Sequence, residues 1–342
     1  MNWDQLELSP RIIAAVRRGD TKLQSVKEVL CLSSLDLQTL TGLSLSDVQQ
    51  LLTAAATTCR RHPPVTALQL QRGEYPSIES GLRLSVGCPV LDQLLRGGLS
   101  AGVVTELSGE SGAGKTQLAL QLCLSVQYPA EHGGLNSGAL YICTEDSFPI
   151  KRLQQLIREQ PSLRSDVAPS LISSLHFSNN IYIEHTADLG SLQVCLSRRA
   201  PLLLAQGLIR LLVVDSVAAL FRSEFQADDW LERNRQLLTF SSALHRLGQE
   251  FTTPVLCINQ VTHTCPLAPC PSSSSVSPAL GLAWANQVMV RLILRRLRET
   301  VTRGDQSSIL RRLEVVFAPH LPRDGRDAAV WREGIRGVLN SD

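Results

Sequence analysis

The sequence predicts an α/β fold, in which helices flank a mainly parallel sheet, preceded by a small all-α domain. From about residue 82, short apolar stretches alternate with stretches of helical apolar spacing, which is typical of βαβ units. Before about residue 60, only helical spacing is found. Apolar residues make up 44% of the 342 residues, which is enough to bury a substantial core.

Residues 1–60 are predicted to form the helical domain. Three segments have helical spacing, and the last two open on a serine that can cap a helix: "SPRIIAAVRRG", "SVKEVLCLSSLDLQTL" and "SLSDVQQLLTAAATTC". Gly42, in the "TGLS" between the last two, permits a tight turn with positive φ. This pattern indicates a helix-hairpin-helix, whose turn amides can hold a DNA phosphate. A bare helical hairpin fits equally well, because few basic residues flank it.

Residues 61–81 are predicted to be a linker, since Pro63 and Pro64 are followed by polar and turn residues. The core domain then covers residues 82–342. Its predicted strands are "GVVTELSG", "GALYICTED", "IYIEH", "IRLLVVDS" and "PVLCINQV". Its predicted helices are "KTQLALQLCLSVQ", "IKRLQQLIREQ", "DLGSLQVCLSRRAPLLLAQG" and "WLERNRQLLTFSSALHRLGQEF".

The pattern changes after about residue 286. "QVMVRLILRRL" and "ILRRLEVVFAP" are predicted strands, joined by the polar segment "RETVTRGDQSS", and "AAVWREGIRGV" adds a short turn-linked pair. We interpret them as an antiparallel extension at the edge of the sheet.

Composition gives expectations about the compartment and the partners of the chain. A net charge of +2 does not by itself indicate a nucleic-acid or membrane partner. The nine cysteines are odd in number and include no C-x-x-C pair, which favours buried thiols in a reducing compartment. We expect no signal peptide and no transmembrane helix, and therefore a cytosolic or nuclear protein without a membrane partner.

One motif carries a specific chemistry. "GESGAGKT" fits G-x-x-x-x-G-K-[ST] between a predicted strand and a predicted helix. Backbone amides of such a loop and the helix N-terminus bind phosphate oxygens. Lys115 is expected to reach the β- and γ-phosphates, and the Thr116 hydroxyl to ligate Mg²⁺. The predicted loop comprises Gly109, Glu110, Ser111, Gly112, Ala113, Gly114, Lys115 and Thr116.

Polar residues end three of the other predicted strands, at the edge where parallel sheets bind ligands. Asp215 ends "LLVVD" and is the predicted metal-side carboxylate. Glu145 is the candidate catalytic base, although spacing does not exclude Asp146. Asn259 and Gln260 follow in the next predicted strand, and a neutral amide there could sense the γ-phosphate, or the two amides could cap the strand.

This order of a phosphate loop and strands ending in Glu, Asp and Gln resembles the RecA-like strand-exchange recombinases. The helix-hairpin-helix narrows the resemblance to their eukaryotic and archaeal branch, and "LDQLLRGGL", "HGGL" and "VVDSVAALFR" also look like it. The resemblance runs from about residue 5 to 338. It implies a RecA-like P-loop ATPase core that binds ATP and Mg²⁺. It also implies catalytic roles for Lys115, Glu145 and Gln260, and an Arg152 that lies on the adenine ring.

The chain departs from that family in its DNA loops. The first loop, "FRSEFQADDWLERNR", keeps Arg222, but the acidic pair Asp228 and Asp229 replaces a glycine-flanked arginine. The candidate DNA contacts are Arg222, Arg233 and Arg235. The second loop, residues 261–278, contains no Lys, Arg, Asp or Glu, so it neutralises few phosphates. Its His263, Cys265 and Cys270 have no standard zinc spacing.

Features of self-assembly are also altered. The family's linker carries a Phe-x-x-Ala segment that binds the next protomer, and this chain has "PVTA" in that place. Val65 and Ala67 are therefore the candidate partner contacts, without the aromatic anchor. Phe317 stands where recombinases place an acidic residue that caps the neighbouring ATP.

Together these features predict an ATP-binding recombinase paralog in homologous-recombination repair of DNA double-strand breaks and crosslinks. The resemblance implies a location in the nucleus and also the cytoplasm. We expect a heteromeric complex, such as a heterodimer with another paralog, that binds single-stranded or branched DNA and assists the main recombinase. ATP hydrolysis is expected to be slow and DNA-dependent. The alternatives are an autonomous DNA-dependent ATPase with strand-exchange activity, or a nucleotide with a purely structural role.

Overall fold

The computed structural model describes residues 3, 8–17, 23, 25–59, 65–72, 81–145, 147–263 and 276–338. The chain divides into two compact units, Met1–Ile78 and Glu79–Asp342, which are treated separately below. None of the helices in these ranges has the length and apolar character needed to cross a membrane.

The first unit is helical and has its own apolar core, which includes Ile12, Leu37 and Leu51. Gly42 has a φ of 67°, and its N–H donates to the Gln38 carbonyl, so the expected tight turn joins two helices. The helices are α1 (Pro10–Arg17), α2 (Val26–Val29), α3 (Ser34–Thr41), α4 (Leu45–Cys59) and α5 (Ala67–Gln71).

Two predicted features of this unit differ in detail. The segment "SVKEVLCLSSLDLQTL" forms two helices, because Ser33 caps α3 through a hydrogen bond from the Asp36 N–H (3.2 Å). Within the predicted linker, α5 forms after Thr66, whose hydroxyl accepts from the Gln69 N–H (3.2 Å). Serine and threonine caps thus decide where helices begin.

The second unit contains a ten-stranded sheet in the order β12–β11–β10–β9–β3–β7–β6–β4–β5, with β8 paired to β7. Neighbours are parallel from β9 to β5 and antiparallel from β9 to β12, which confirms the predicted fold class. The strands are β3 (Val104–Gly109), β4 (Gly138–Cys143), β5 (Ile181–His185), β6 (Ile209–Asp215), β7 (Val255–His263), β8 (Val276–Pro278), β9 (Val290–Arg303), β10 (Gln306–Phe317), β11 (Gly325–Val330) and β12 (Ile335–Gly337). A separate ribbon pairs β1 (Arg83–Leu84) with β2 (Leu99–Ser100).

Helices cover both faces of this sheet. Along β6, Leu211 and Val213 belong to one apolar core, and Leu212 and Val214 to the other. Strands buried on both faces explain the continuous apolar runs in the sequence. The helices are α6 (Pro89–Leu94), α7 (Lys115–Ser125), α8 (Ile150–Arg158), α9 (Gln160–Leu163), α10 (Pro169–Ser174), α11 (Leu189–Val194), α12 (Ala200–Ala205), α13 (Val217–Ser223), α14 (Trp230–Phe251) and α15 (Gly281–Ala285).

Two core predictions were wrong in their bounds. The predicted helix over residues 188–207 is interrupted by a π-helical turn, Cys195–Arg199, next to Pro201, which cannot donate a helical hydrogen bond. The polar segment "RETVTRGDQSS" is mostly strand, since β9 continues to Arg303 and β10 begins at Gln306. Charged residues tolerate this pairing because much of the hairpin faces solvent.

Candidate functional site

The loop from Gly109 to Thr116 joins β3 to α7 at the carboxyl edge of the parallel strands. Gly112 and Gly114 have φ angles of 71° and 107°, which glycine adopts without strain. A Cβ on Gly109 would lie 2.3 Å from the Leu294 carbonyl oxygen of the neighbouring β9. The glycines therefore allow both the curl of the loop and its close approach to the sheet.

Lys115 lies across this loop. Its Nζ donates to the carbonyl oxygens of Gly109 (2.7 Å) and Glu110 (2.8 Å). Burial lowers the pKa of Lys115, and the nearby carboxylates of Asp215, Glu145 and Glu110 oppose that shift. The Lys115 ammonium is therefore held where it would contact a phosphate bound by the loop.

Asp215 is fixed from two directions at the end of β6. The Thr116 hydroxyl donates to its Oδ2 (2.8 Å), and the Tyr141 hydroxyl donates to the same oxygen (2.5 Å). Burial and then the charge of Asp215 raise the pKa of Tyr141, so the phenol keeps its proton and remains a donor. A hydroxyl beside a carboxylate is an oxygen donor set that fits Mg²⁺, which takes few protein ligands and completes its shell with phosphates and water.

A second chain of hydrogen bonds starts at Glu145, after β4. Gln260 donates through Nε2 to both Glu145 oxygens (2.8 and 3.1 Å), and Ser216 donates to Oε2 (3.2 Å). Arg222 donates in turn to Gln260 Oε1 (2.6 Å). Asp146 lies outside the described residues. Glu145 is thus linked through Gln260 to the arginine at the start of the first predicted DNA loop.

Asn259 and Gln260 do not end their strand as predicted, because β7 continues to His263 and pairs there with β8, and the structure separates the two amides. Gln260 lines the cavity, whereas Asn259 is fully buried and donates to Glu106 Oε1 (2.7 Å) and the Ala279 carbonyl (2.8 Å). Glu106, itself buried, also accepts from the Trp284 indole (2.8 Å) and faces Arg291 (3.2 Å). Asn259 therefore has a structural position, and only Gln260 is placed for the predicted sensing role.

Arg152, at the start of α8, is held by four acceptors. Its guanidinium donates to the side chains of Gln117 and Gln155 (both 2.6 Å) and to the carbonyls of Trp331 (2.7 Å) and Arg332 (3.0 Å). Burial lowers its pKa, and the charges of Glu333 and Glu159 oppose the shift. The guanidinium plane is therefore fixed at the wall of the cavity.

These residues surround one cavity of about 1230 Å³. It brings together every predicted loop residue except the buried Ala113, and also Glu145, Arg152, Asp215 and Gln260. Sequence reasoning missed a further group that shares this cavity: Tyr141, Asp305, Gln306, Ser307, Arg311, Trp331 and Arg332.

Most of the missed residues come from the antiparallel extension, far along the chain from the loop. Arg311 Nε donates to the Ala113 carbonyl (2.8 Å) across 198 positions. Burial and the facing Arg296 lower the pKa of Arg311. No local motif identifies such residues as part of a nucleotide site. The one signal in the sequence was the number of arginines in the two strands predicted at the edge of the sheet.

The other predicted DNA contacts and the predicted partner contacts do not line this cavity. Arg233 is half-buried on α14, and Arg235 is exposed, with its Nη1 3.6 Å from Glu232. Val65 is half-buried, and Ala67 is exposed and begins α5, so this segment is not extended as strand addition requires. Pro64, residues 264–275 with Cys265 and Cys270, and the His263 side chain lie outside the described part of the chain.

Comparisons with known proteins place the chain in a family. Residues 79–338 match the Rad51 family model, and residues 3–59 match the model described as an XRCC3/RpoA-like helix-hairpin-helix domain. The chain is 51% identical over 347 residues to the DNA repair protein XRCC3 of Mus musculus, covering 99% of this chain and 98% of that protein. Against the Bos taurus protein of the same name, identity is 51% over 339 residues, with 99% and 98% covered. The DNA repair protein RAD51 homolog 2 of Homo sapiens is 31% identical over 301 residues, with 81% and 76% covered.

Proposed function

The chain belongs to the Rad51 family, and from that premise we propose that it is an ATP-binding recombinase paralog in homologous-recombination repair of DNA double-strand breaks and crosslinks. The observation that carries the proposal is the assembled site, in which Lys115, Thr116 and Asp215 meet at the phosphate loop. The protein acts in the nucleus and cytoplasm, in a complex with another paralog. That complex binds single-stranded or branched DNA and assists the main recombinase.

The residues of the site have separate roles in binding and hydrolysing ATP. Amides of the loop and Lys115 bind the phosphates, and Arg152 packs on the adenine. Thr116 and Asp215 would hold Mg²⁺, which when bound neutralises phosphate charge. Glu145 orients water and accepts its proton. The Gln260 amide can donate either to Glu145, as here, or to a γ-phosphate oxygen.

Changes in the first DNA loop and in the self-assembly features favour a partner subunit over an autonomous recombinase. Arg222 is engaged with Gln260 instead of projecting freely, and the exposed Asp228 and Asp229 repel phosphates. The "PVTA" segment lacks an aromatic anchor, and Phe317 stands at the position of the acidic cap. Each feature weakens binding to a second copy or to DNA.

Size-exclusion chromatography of the purified chain with ATP and single-stranded DNA tests this proposal. We expect the chain alone to form no long filaments, and a pull-down from cells to recover another recombinase paralog in stoichiometric amount. Long filaments with efficient strand exchange would instead support the autonomous recombinase.

Arg222→Ala separates the two functions further, with Arg210→Ala as the control on an exposed arginine near the start of β6. A partner subunit keeps its partner in the pull-down when Arg222 is changed. An autonomous recombinase loses most of its DNA-stimulated turnover.

Glu145→Gln tests whether hydrolysis occurs at this site. The substitution preserves size and one acceptor oxygen but removes the base, so we expect ATP binding to persist and any turnover to fall by about 10²–10⁴-fold. Lys115→Ala is the comparison, because it should weaken binding itself. If Glu145→Gln leaves turnover unchanged, Glu145 is not the base.

A further inference from the structure

The hairpin of β9 and β10 projects past the phosphate loop. β3 and β9 are parallel, and their pairing ends at Gly109 and Leu294. From Arg295 onward, β10 is the only described strand that pairs with β9. Because β9 continues for nine more residues in the direction of β3, the hairpin tip (residues 303–307) lies beyond the carboxyl edge of the sheet, where the phosphate loop also lies.

The tip is fastened to the turn between β11 and β12. Arg332 forms an ion pair with Asp305, and the Arg332 N–H donates to Gln306 Oε1 (2.8 Å). Arg303 pairs with Glu333 (2.6 Å), whose side chain is only 3% exposed. The Arg303 guanidinium also lies 5.6 Å from the centre of the Trp331 ring, within cation–π range.

The fastened tip forms a wall of the nucleotide cavity. Asp305, Gln306 and Ser307 line it together with Trp331 and Arg332. Arg152 donates to the carbonyls of those last two residues, so the tip belongs to the wall that holds Arg152. The phosphates are assigned elsewhere, to the loop and Lys115.

The chemistry of the tip suits a nucleoside better than a phosphate. A carboxylate repels phosphate, whereas carboxylate and amide oxygens accept hydrogen bonds from ribose hydroxyls. The ion pair with Arg332 holds Asp305 at the rim of the cavity. We propose that the tip retains the nucleotide within its own chain. In this arrangement, Asp305 and Gln306 accept hydrogen bonds from the ribose, and the contacts of Arg303 and Arg332 slow release. This inference rests on the proposed ATP binding.

The test measures release of a radiolabelled, non-hydrolysable ATP analogue from the full chain after a chase with unlabelled ATP and Mg²⁺. Asp305→Ala and Arg332→Ala should each speed release by about fivefold, the effect of losing one net hydrogen bond or ion pair. Asp324→Ala and Arg326→Ala are the matched controls, because they break an exposed ion pair of 2.8 Å whose members do not line the cavity.

A 2′,3′-dideoxy analogue distinguishes ribose recognition from a general loss of structure. Wild type should release it about fivefold faster than the ribose form, and Asp305→Ala should remove that difference. Release at the wild-type rate from both variants would overturn the inference and leave ATP binding standing. A wild-type chain that binds no analogue would overturn both.

Discussion

At the scale of single residues, Asp215 shows how neighbours orient a functional side chain. Two hydroxyls, from Thr116 on α7 and Tyr141 on β4, donate to the same carboxylate oxygen. Thr116 was predicted from its motif, but Tyr141 was not, because a tyrosine within an apolar strand is typical of a core residue. Only the pairing of β4 with β6 places the phenol beside the carboxylate.

Tyr141→Phe should weaken the response to Mg²⁺ without unfolding the chain. The change removes a hydrogen bond to a charged acceptor, worth about 1.5–3 kcal/mol, and leaves the ring in place. We expect ATP binding to need about tenfold more Mg²⁺, measured by titrating the metal at fixed ATP. Tyr182→Phe, on the edge strand β5, is the control. An unchanged Mg²⁺ requirement would show that Tyr141 does not position Asp215.

His320 provides a prediction for pH. Its ring lies 3.3 Å from the Ser100 hydroxyl, and burial, followed by the charges of Arg83 and Arg96, lowers its pKa from 6.5. The unfolded chain therefore binds this proton at a higher pH than the folded chain. The neutral ring contributes stability above about pH 6.5, which is lost as pH falls through the folded-state pKa.

Denaturant unfolding at pH 7.5 and at pH 5.5 checks this sign. Wild type should lose more unfolding free energy on acidification than His320→Gln does, because the variant has no such proton to bind. Equal losses in the two proteins would contradict the assignment.

At the scale of elements, the phosphate loop depends on the strand beside it as much as on its motif. Gly109 is the last residue of β3, opposite Leu294 of β9. The sequence motif accounts for this glycine through phosphate binding. The structure adds a second reason, the 2.3 Å that would separate a Cβ from the Leu294 carbonyl.

Gly109→Ala should therefore destabilise the core even without nucleotide. The added methyl must displace backbone, at about 2–3 kcal/mol. Gly207→Ala is the control, since its φ is 71° but no atom lies within 4 Å of the new Cβ; only the left-handed strain of about 1 kcal/mol is expected. The measurement is the unfolding free energy without ATP. Equal losses in the two variants would show that the β9 contact costs nothing.

At the scale of the whole molecule, all residues assigned to the nucleotide fall between Gly109 and Arg332, inside the second unit. The first unit has a separate apolar core around Ile12, Leu37 and Leu51. Nucleotide binding and the helix-hairpin-helix therefore belong to different compact parts of the chain.

A fragment of residues 79–342 should bind ATP with the affinity of the full chain, because it retains every cavity residue among those that the structure describes. Calorimetric titration of both proteins compares the affinities. The Lys115→Ala variant of the fragment gives the background heat in the absence of binding at the site. An affinity at least tenfold weaker in a folded fragment would show that residues 1–78 contribute to the site.

Patterns in the sequence were enough to predict the fold class, the phosphate loop and the positions of Glu145 and Asp215 near strand ends. These are local signals, since apolar spacing reports burial on one or both faces and strand ends carry ligand-binding groups in a parallel sheet. The same reasoning could not choose between Asn259 and Gln260, because adjacent residues on a strand face opposite sides of the sheet and only packing decides which side is buried.

Sequence patterns could not predict which distant residues complete the site, because that depends on the tertiary structure. Asp305, Arg311 and Arg332 reach the cavity because β9 runs parallel to β3 and its hairpin passes the loop, a pairing across nearly two hundred positions. Both strands of the hairpin were predicted, but the polar segment between them has no apolar period to show that they continue through it. Contacts of this kind depend on strand order and register, which arise from the packing of the whole sheet and leave no mark on any short stretch of sequence.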